Sequence, residues 1–106
     1  MTAMVSKFLE KRVEIKYDEI YQGLGNSFEL EYYLLEKEDN EIGDRETKKI
    51  YGIEIVKKNQ GILNESKQFQ NIFNTRIKTK NLVELLAENT VTPSSLPYIL
   101  DDLLSM

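Results

Sequence analysis

The chain has 106 residues, with 18 acidic and 14 basic side chains, a formal charge of -4, and no histidine, cysteine or tryptophan. That length fits one domain over residues 1–106, with a single modest core. The missing residue types exclude a cysteine nucleophile, a Ser-His triad, a thiolate or imidazole zinc site and an imidazole pH switch.

Residues 1–9 run directly into Glu10, Lys11 and Arg12, which is not a signal-peptide pattern. Val13, Ile15 and Tyr17 then alternate with Glu14 and Lys16, the pattern of a half-buried strand. After a break at Gly23 and Gly25, Phe28, Leu30, Tyr32 and Leu34 alternate with Glu29, Glu31, Tyr33 and Leu35. Residues 36–47 are polar and read as an exposed hairpin loop. Tyr51, Ile53 and Ile55 make a third alternating set, with Ile50, Gly52, Glu54 and Val56 opposite. A ring from a neighbouring tyrosine is expected to cover the gap at Gly52. A turn at Asn59, Gln60 and Gly61 leads to a weaker strand over residues 65–73, where Phe69 and Ile72 share a face only across a bulge.

The period then changes. Leu82, Leu85, Leu86 and Asn89 share a helical face, flanked by Val83 and Ala87, with Ile77 out of phase. The helix starts between Asn74 and Lys80 and ends at Asn89. A second helix carries Leu96, Ile99, Leu100, Leu103 and Leu104 as an unbroken stripe. Thr92 as cap with Pro93 in the first turn gives one helix strained at Pro97, the favoured reading. The other is a 3₁₀ turn at 93–96 with the helix starting at Pro97. Strands before helices imply an α+β fold: an antiparallel meander of about four strands, then two C-terminal helices packed on one face.

That arrangement leaves a second sheet face bearing Tyr33, Leu35, Ile50 and Val56, the candidate contact surface. The alternative is that the segment around Val5, Phe8 and Leu9 folds over it. A second candidate is the basic run Arg76, Lys78 and Lys80, an anion site only in a weak sense, because helix-start phosphate sites carry glycines and this run has none. Adjacent Asp101 and Asp102 point about 100° apart on a helix, and the acidic loop lacks calcium-loop spacing, so no metal is expected. Glu29, Glu31 and Glu54 could do acid–base work only inside a pocket that raised one pKa.

Residues 32–35 (YYLL), 51–55 (YGIEI), 82–86 (LVELL) and 91–93 (VTP), with Leu96, Asp101 and Asp102, resemble a family of short bacterial proteins from Gram-positive anaerobes, a domain of unknown function. The resemblance spans residues 31–104 and leaves 1–30 outside. It implies one bacterial domain and adds no chemistry. The expectation is a noncatalytic cytoplasmic protein-interaction domain, in one form a homodimer through the second face. An anion- or small-ligand-binding regulatory domain is the alternative. No cofactor, nucleic acid or membrane is implied: the cysteine-free composition suits a reducing compartment, the net charge disfavours DNA, and no apolar run approaches a span.

Overall fold

The period-two segments become four long strands in the computed structural model, which describes residues 5–16, 27–39, 48–59 and 61–104. They are β1 (Val5–Lys16), β2 (Ser27–Asp39), β3 (Lys48–Asn59) and β4 (Ile62–Phe73). All three pairings are antiparallel and the sheet order is β1-β2-β3-β4, a simple meander. Helices α1 (Arg76–Glu88) and α2 (Leu96–Leu104) follow. The fold is α+β, as the change of period implies.

Leu30 and Tyr32 of β2 and Ile53 and Ile55 of β3 form the floor of the core. On them pack Leu82, Val83, Leu86 and Ala87 of α1, with Val91, Leu96 and Leu100. The Tyr32 hydroxyl donates to the Val91 carbonyl at 2.9 Å, tying the interhelix turn to the sheet centre. Burial raises the Tyr32 pKa to about 12, so this donor stays protonated through neutral pH.

Several details depart from the pattern reading. Strand β1 begins at Val5, eight residues before the alternation at Val13, and a register shift between Leu9 and Lys11 inserts one residue. The shift breaks period two and hides the continuity of Phe8 with Val13 and Ile15 on the helix side. Residues 5–12 therefore form the edge of the sheet and do not fold over its second face. Strand β2 extends through Glu36 to Asp39, so the hairpin loop is shorter than its polarity suggests. Tyr17, Gly23, Gly25, residues 40–47 and Gln60 lie outside the described residues.

Strand β4 carries the expected bulge. Tyr51 pairs with Phe73 and Ile53 with Phe69, leaving Gln70, Asn71 and Ile72 opposite Gly52 alone. Asn71 adopts φ 60°, a conformation that asparagine tolerates better than most residues. No tyrosine ring fills the gap at Gly52: a Cβ there would meet the Phe69 carbonyl oxygen and stand 2.8 Å from Gln70 Cα. The β4 backbone itself occupies that space, which is why the position has no side chain.

The buried stripe of α1 is rotated from the leucine-only pattern. Thr79, Leu82, Val83, Leu86 and Ala87 are buried, while Leu85 is 43% exposed. Thr79 joins the core because its hydroxyl donates to the Thr75 carbonyl at 2.9 Å, which satisfies its polarity locally. Ile77, out of phase, is 73% exposed.

At the helix end, Val91 N–H donates to the Leu86 carbonyl and Thr90 N–H to that of Ala87, a Schellman pattern with Thr90 at φ 47°. Before α2, residues 93–95 form a turn, and the N–H groups of Ser95 and Leu96 both donate to the Thr92 carbonyl at 3.1 Å. Helix α2 thus begins at Leu96. Pro97 falls in its first turn, where an N–H has no intrahelical acceptor, so the strained start does not occur.

Gly52→Ala is expected to cost about 2–3 kcal/mol by overpacking, whereas Gly61→Asn, in a left-handed turn open to solvent, stays within about 0.5 kcal/mol. Thr90→Gly is expected to raise stability by about 1 kcal/mol, since a β-branched residue is held there at positive φ. Denaturant midpoints at unchanged m-value measure all three.

Candidate functional site

Strand alternation sends Glu29, Glu31, Tyr33 and Leu35 of β2 and Gly52, Glu54, Val56 and Lys58 of β3 to the face away from the helices. The register shift in β1 brings Lys7, Leu9 and Arg12 to the same side. At its centre Glu31 is only 2% exposed. Arg12 Nη2 donates to its Oε2 at 3.0 Å, while Lys58 Nζ at 3.1 Å and the Tyr33 hydroxyl at 2.7 Å share Oε1. Lys7 pairs with Glu54 at 2.9 Å and sits 4.2 Å from the Tyr33 ring centroid.

The electrostatics follow from that packing. Burial, the largest single influence, pushes the Glu31 pKa up. Tyr33, Lys58 and Arg12 together outweigh it and hold the carboxyl below its ordinary value of 4.5. Burial, reinforced by donation to Glu31 and by that carboxylate's charge, drives the Tyr33 hydroxyl up to about 12. A carboxylate held ionised is a poor general acid at neutral pH.

The four contact candidates occupy this face in two ways. Leu35 and Val56 are buried within the sheet surface, whereas Tyr33 and Ile50 are partly exposed. Further exposed apolar side chains, Val5 and Leu9, stand on the β1 side. The face is therefore an ion-paired layer with apolar groups set into and beside it. Sequence reasoning missed Lys7, Arg12 and Lys58, because placing Lys7 and Arg12 on one side requires the β1 bulge. Alternating glutamates on a central strand were the available signal that counter-ions stood on neighbouring strands.

The basic run does not assemble. Arg76 Nη1 reaches Glu36 at 3.5 Å and its guanidinium lies 4.9 Å from the Phe8 ring centroid. Lys78 is two residues on, about 200° around the helix from Arg76 and Lys80, so the three do not converge on one anion. Asp101 and Asp102 are exposed on α2. Among the described residues, no group of three or more acidic side chains is placed to hold a metal ion. No helix among them is long and apolar enough to cross a membrane.

Residues 11–106 match the Family of unknown function (DUF6514). The chain belongs to that family. The match takes in residues 11–30, which the motifs from YYLL to VTP did not reach, so the second half of β1 and all of β2 fall within the DUF6514 domain. No curated protein and no solved structure matches the chain.

The depressed Glu31 pKa sets a sign. The unfolded chain takes up a proton at higher pH than the folded one, so this contribution to stability is present above about pH 4.5 and is lost as pH falls through the folded pKa. Glu31→Gln is expected to cost about 1–3 kcal/mol at pH 7 and to flatten the fall in stability between about pH 5 and pH 3. Urea denaturation across that range checks it. An unchanged acid slope would show that the cluster does not hold Glu31 ionised.

Proposed function

We propose that this DUF6514 protein is a noncatalytic interaction domain, acting in the cytoplasm of a bacterium through the second sheet face. One observation carries the reading. Residues 5–12, the alternative cover that the sequence offers, form the edge strand beside that face, and both helices lie on the opposite side. Among the described residues no element lies over Tyr33, Ile50 and the ion-paired layer. A face built this way offers apolar area for affinity and fixed charges for register, the combination that gives interfaces their specificity. The ionised state of Glu31 and the pairing of Glu54 with Lys7 support a structural use of these carboxylates over a catalytic one.

Photo-crosslinking in cells tests this. A photoreactive residue replacing Ile50 is expected to trap a protein adduct, whereas the same residue replacing exposed Lys80 on α1 traps none. Absence of any adduct from Ile50, with the protein folded and expressed, would sink the reading.

A further inference from the structure

We infer that the first half of β1 is a displaceable strap, and that the β2 edge it covers accepts an extended segment of another protein in which a cation is followed directly by an aromatic residue. This contact lies at the rim of the sheet and does not rest on the contact-surface reading above.

Three observations divide β1 at Glu10. The register passes from Leu9 opposite Tyr33 to Lys11 opposite Tyr32, so Glu10 has no partner and the ladder is interrupted there. The DUF6514 match begins at residue 11, directly past that interruption. Burial also differs on its two sides. Val13 and Ile15 pack against the helix-covered core, whereas Val5, Phe8 and Leu9 are 39%, 37% and 46% exposed. A segment with little buried apolar surface opens locally while the rest stays folded, and residues 5–9 meet that description.

The edge beneath differs from the strap itself. Leu34 and Leu35, opposite Phe8 and Lys7, are both buried. Lifting residues 5–9 uncovers that apolar edge together with a row of backbone N–H and C=O groups. An extended guest restores the ladder, and side-chain contacts on its alternate faces give it specificity. The strap's own contacts define those two sites. On the second face Lys7 Nζ lies 2.9 Å from the Glu54 carboxylate and 4.2 Å from the Tyr33 ring centroid. On the helix side the Arg76 guanidinium, paired with Glu36, lies 4.9 Å from the Phe8 ring centroid. Successive strand residues face opposite sides, so the two sites read consecutive residues, cation first. A guest replaces the strap one for one, and the sheet keeps its four strands. The tethered strap lowers the apparent affinity of the guest by the fraction of chains that are open, which makes it a gate.

Hydrogen exchange on the full chain tests the strap. Ladder amides joining residues 5–9 to 33–37 are expected to exchange about a hundredfold faster than those joining 11–16 to 27–32. Lys7→Ala should speed the first set about two- to tenfold and leave the second unchanged. Equal protection of the two sets, or acceleration of both by Lys7→Ala, would make β1 a single rigid strand and overturn the proposal. The acceptor edge is tested by covalent capture, which the absence of native cysteine makes direct. The probe is a synthetic peptide of residues 3–10 with Val5→Cys activated as a mixed disulfide. The target is the full-length Lys37→Cys chain, because position 5 pairs with position 37. Thiol–disulfide exchange is expected to capture this peptide about tenfold faster than one with the Lys7 and Phe8 positions interchanged. Equal rates, or the same preference on a Lys80→Cys chain, would overturn the acceptor. The doubly substituted Val5→Cys/Lys37→Cys chain is expected to oxidise to a monomer. A disulfide-linked dimer would make the strap of another copy the occupant and overturn the assignment to a different protein. None of these outcomes bears on crosslinking from Ile50, so the two readings fail separately.

Discussion

Strands β2 and β3 pair without interruption from Phe28–Asn59 to Asp39–Lys48, and the rest of the molecule is arranged around that register. Alternation along so long a ladder sorts the two chemistries at its centre. Leu30, Tyr32, Ile53 and Ile55 go to the side where the helices dock, and Glu31, Tyr33, Glu54 and Lys58 to the other. A slip of one residue would exchange the two sets, placing carboxylates under α1 and leucine and isoleucine in the ion-paired layer. The cost of that exchange is what makes the register unique. Outer strands β1 and β4 inherit their sidedness from the central pair and accommodate their own mismatches with inserted residues.

Legibility in the sequence follows the same division. The central strands were readable because each face repeats strictly at period two, and the two-faced distribution of Tyr33, Leu35, Ile50 and Val56 followed directly. Edge strands were not, because an inserted residue shifts the phase: Phe8 and Val13 share a side that no unbroken alternation assigns them. On α1 the error had another origin. Leu85 fits an apolar stripe as well as Leu82 does, and only the buried hydroxyl of Thr79, satisfied within its own turn, shows which phase faces the sheet. Pro97 misled because position within a helix determines its cost. The turn at 93–95 moves the start of α2 forward to where a missing N–H is harmless.

The candidate surface was half legible. Its apolar members follow from parity, but the order imposed on Glu31 does not, since Arg12 and Lys58 come from strands on either side of β2. Three donors around one nearly inaccessible carboxylate turn an acidic position into a fixed, ionised joint between β1, β2 and β3. Such a joint favours rigidity over reactivity. It also gives the exposed surface a charge pattern with a defined geometry, unlike lysines and glutamates that move freely in solvent.

The irregularities of the two outer strands have a consequence for growth. A regular β1 or β4 would expose a straight row of unpaired backbone groups on which further strands, and then fibres, could assemble. Instead the insertion after Leu9 and the two in β4, the wider of them packed against Gly52, twist both rims out of line. Lateral extension of the sheet is disfavoured from both sides. Whatever association this domain undertakes is steered away from the open-ended kind and toward contacts that close on themselves.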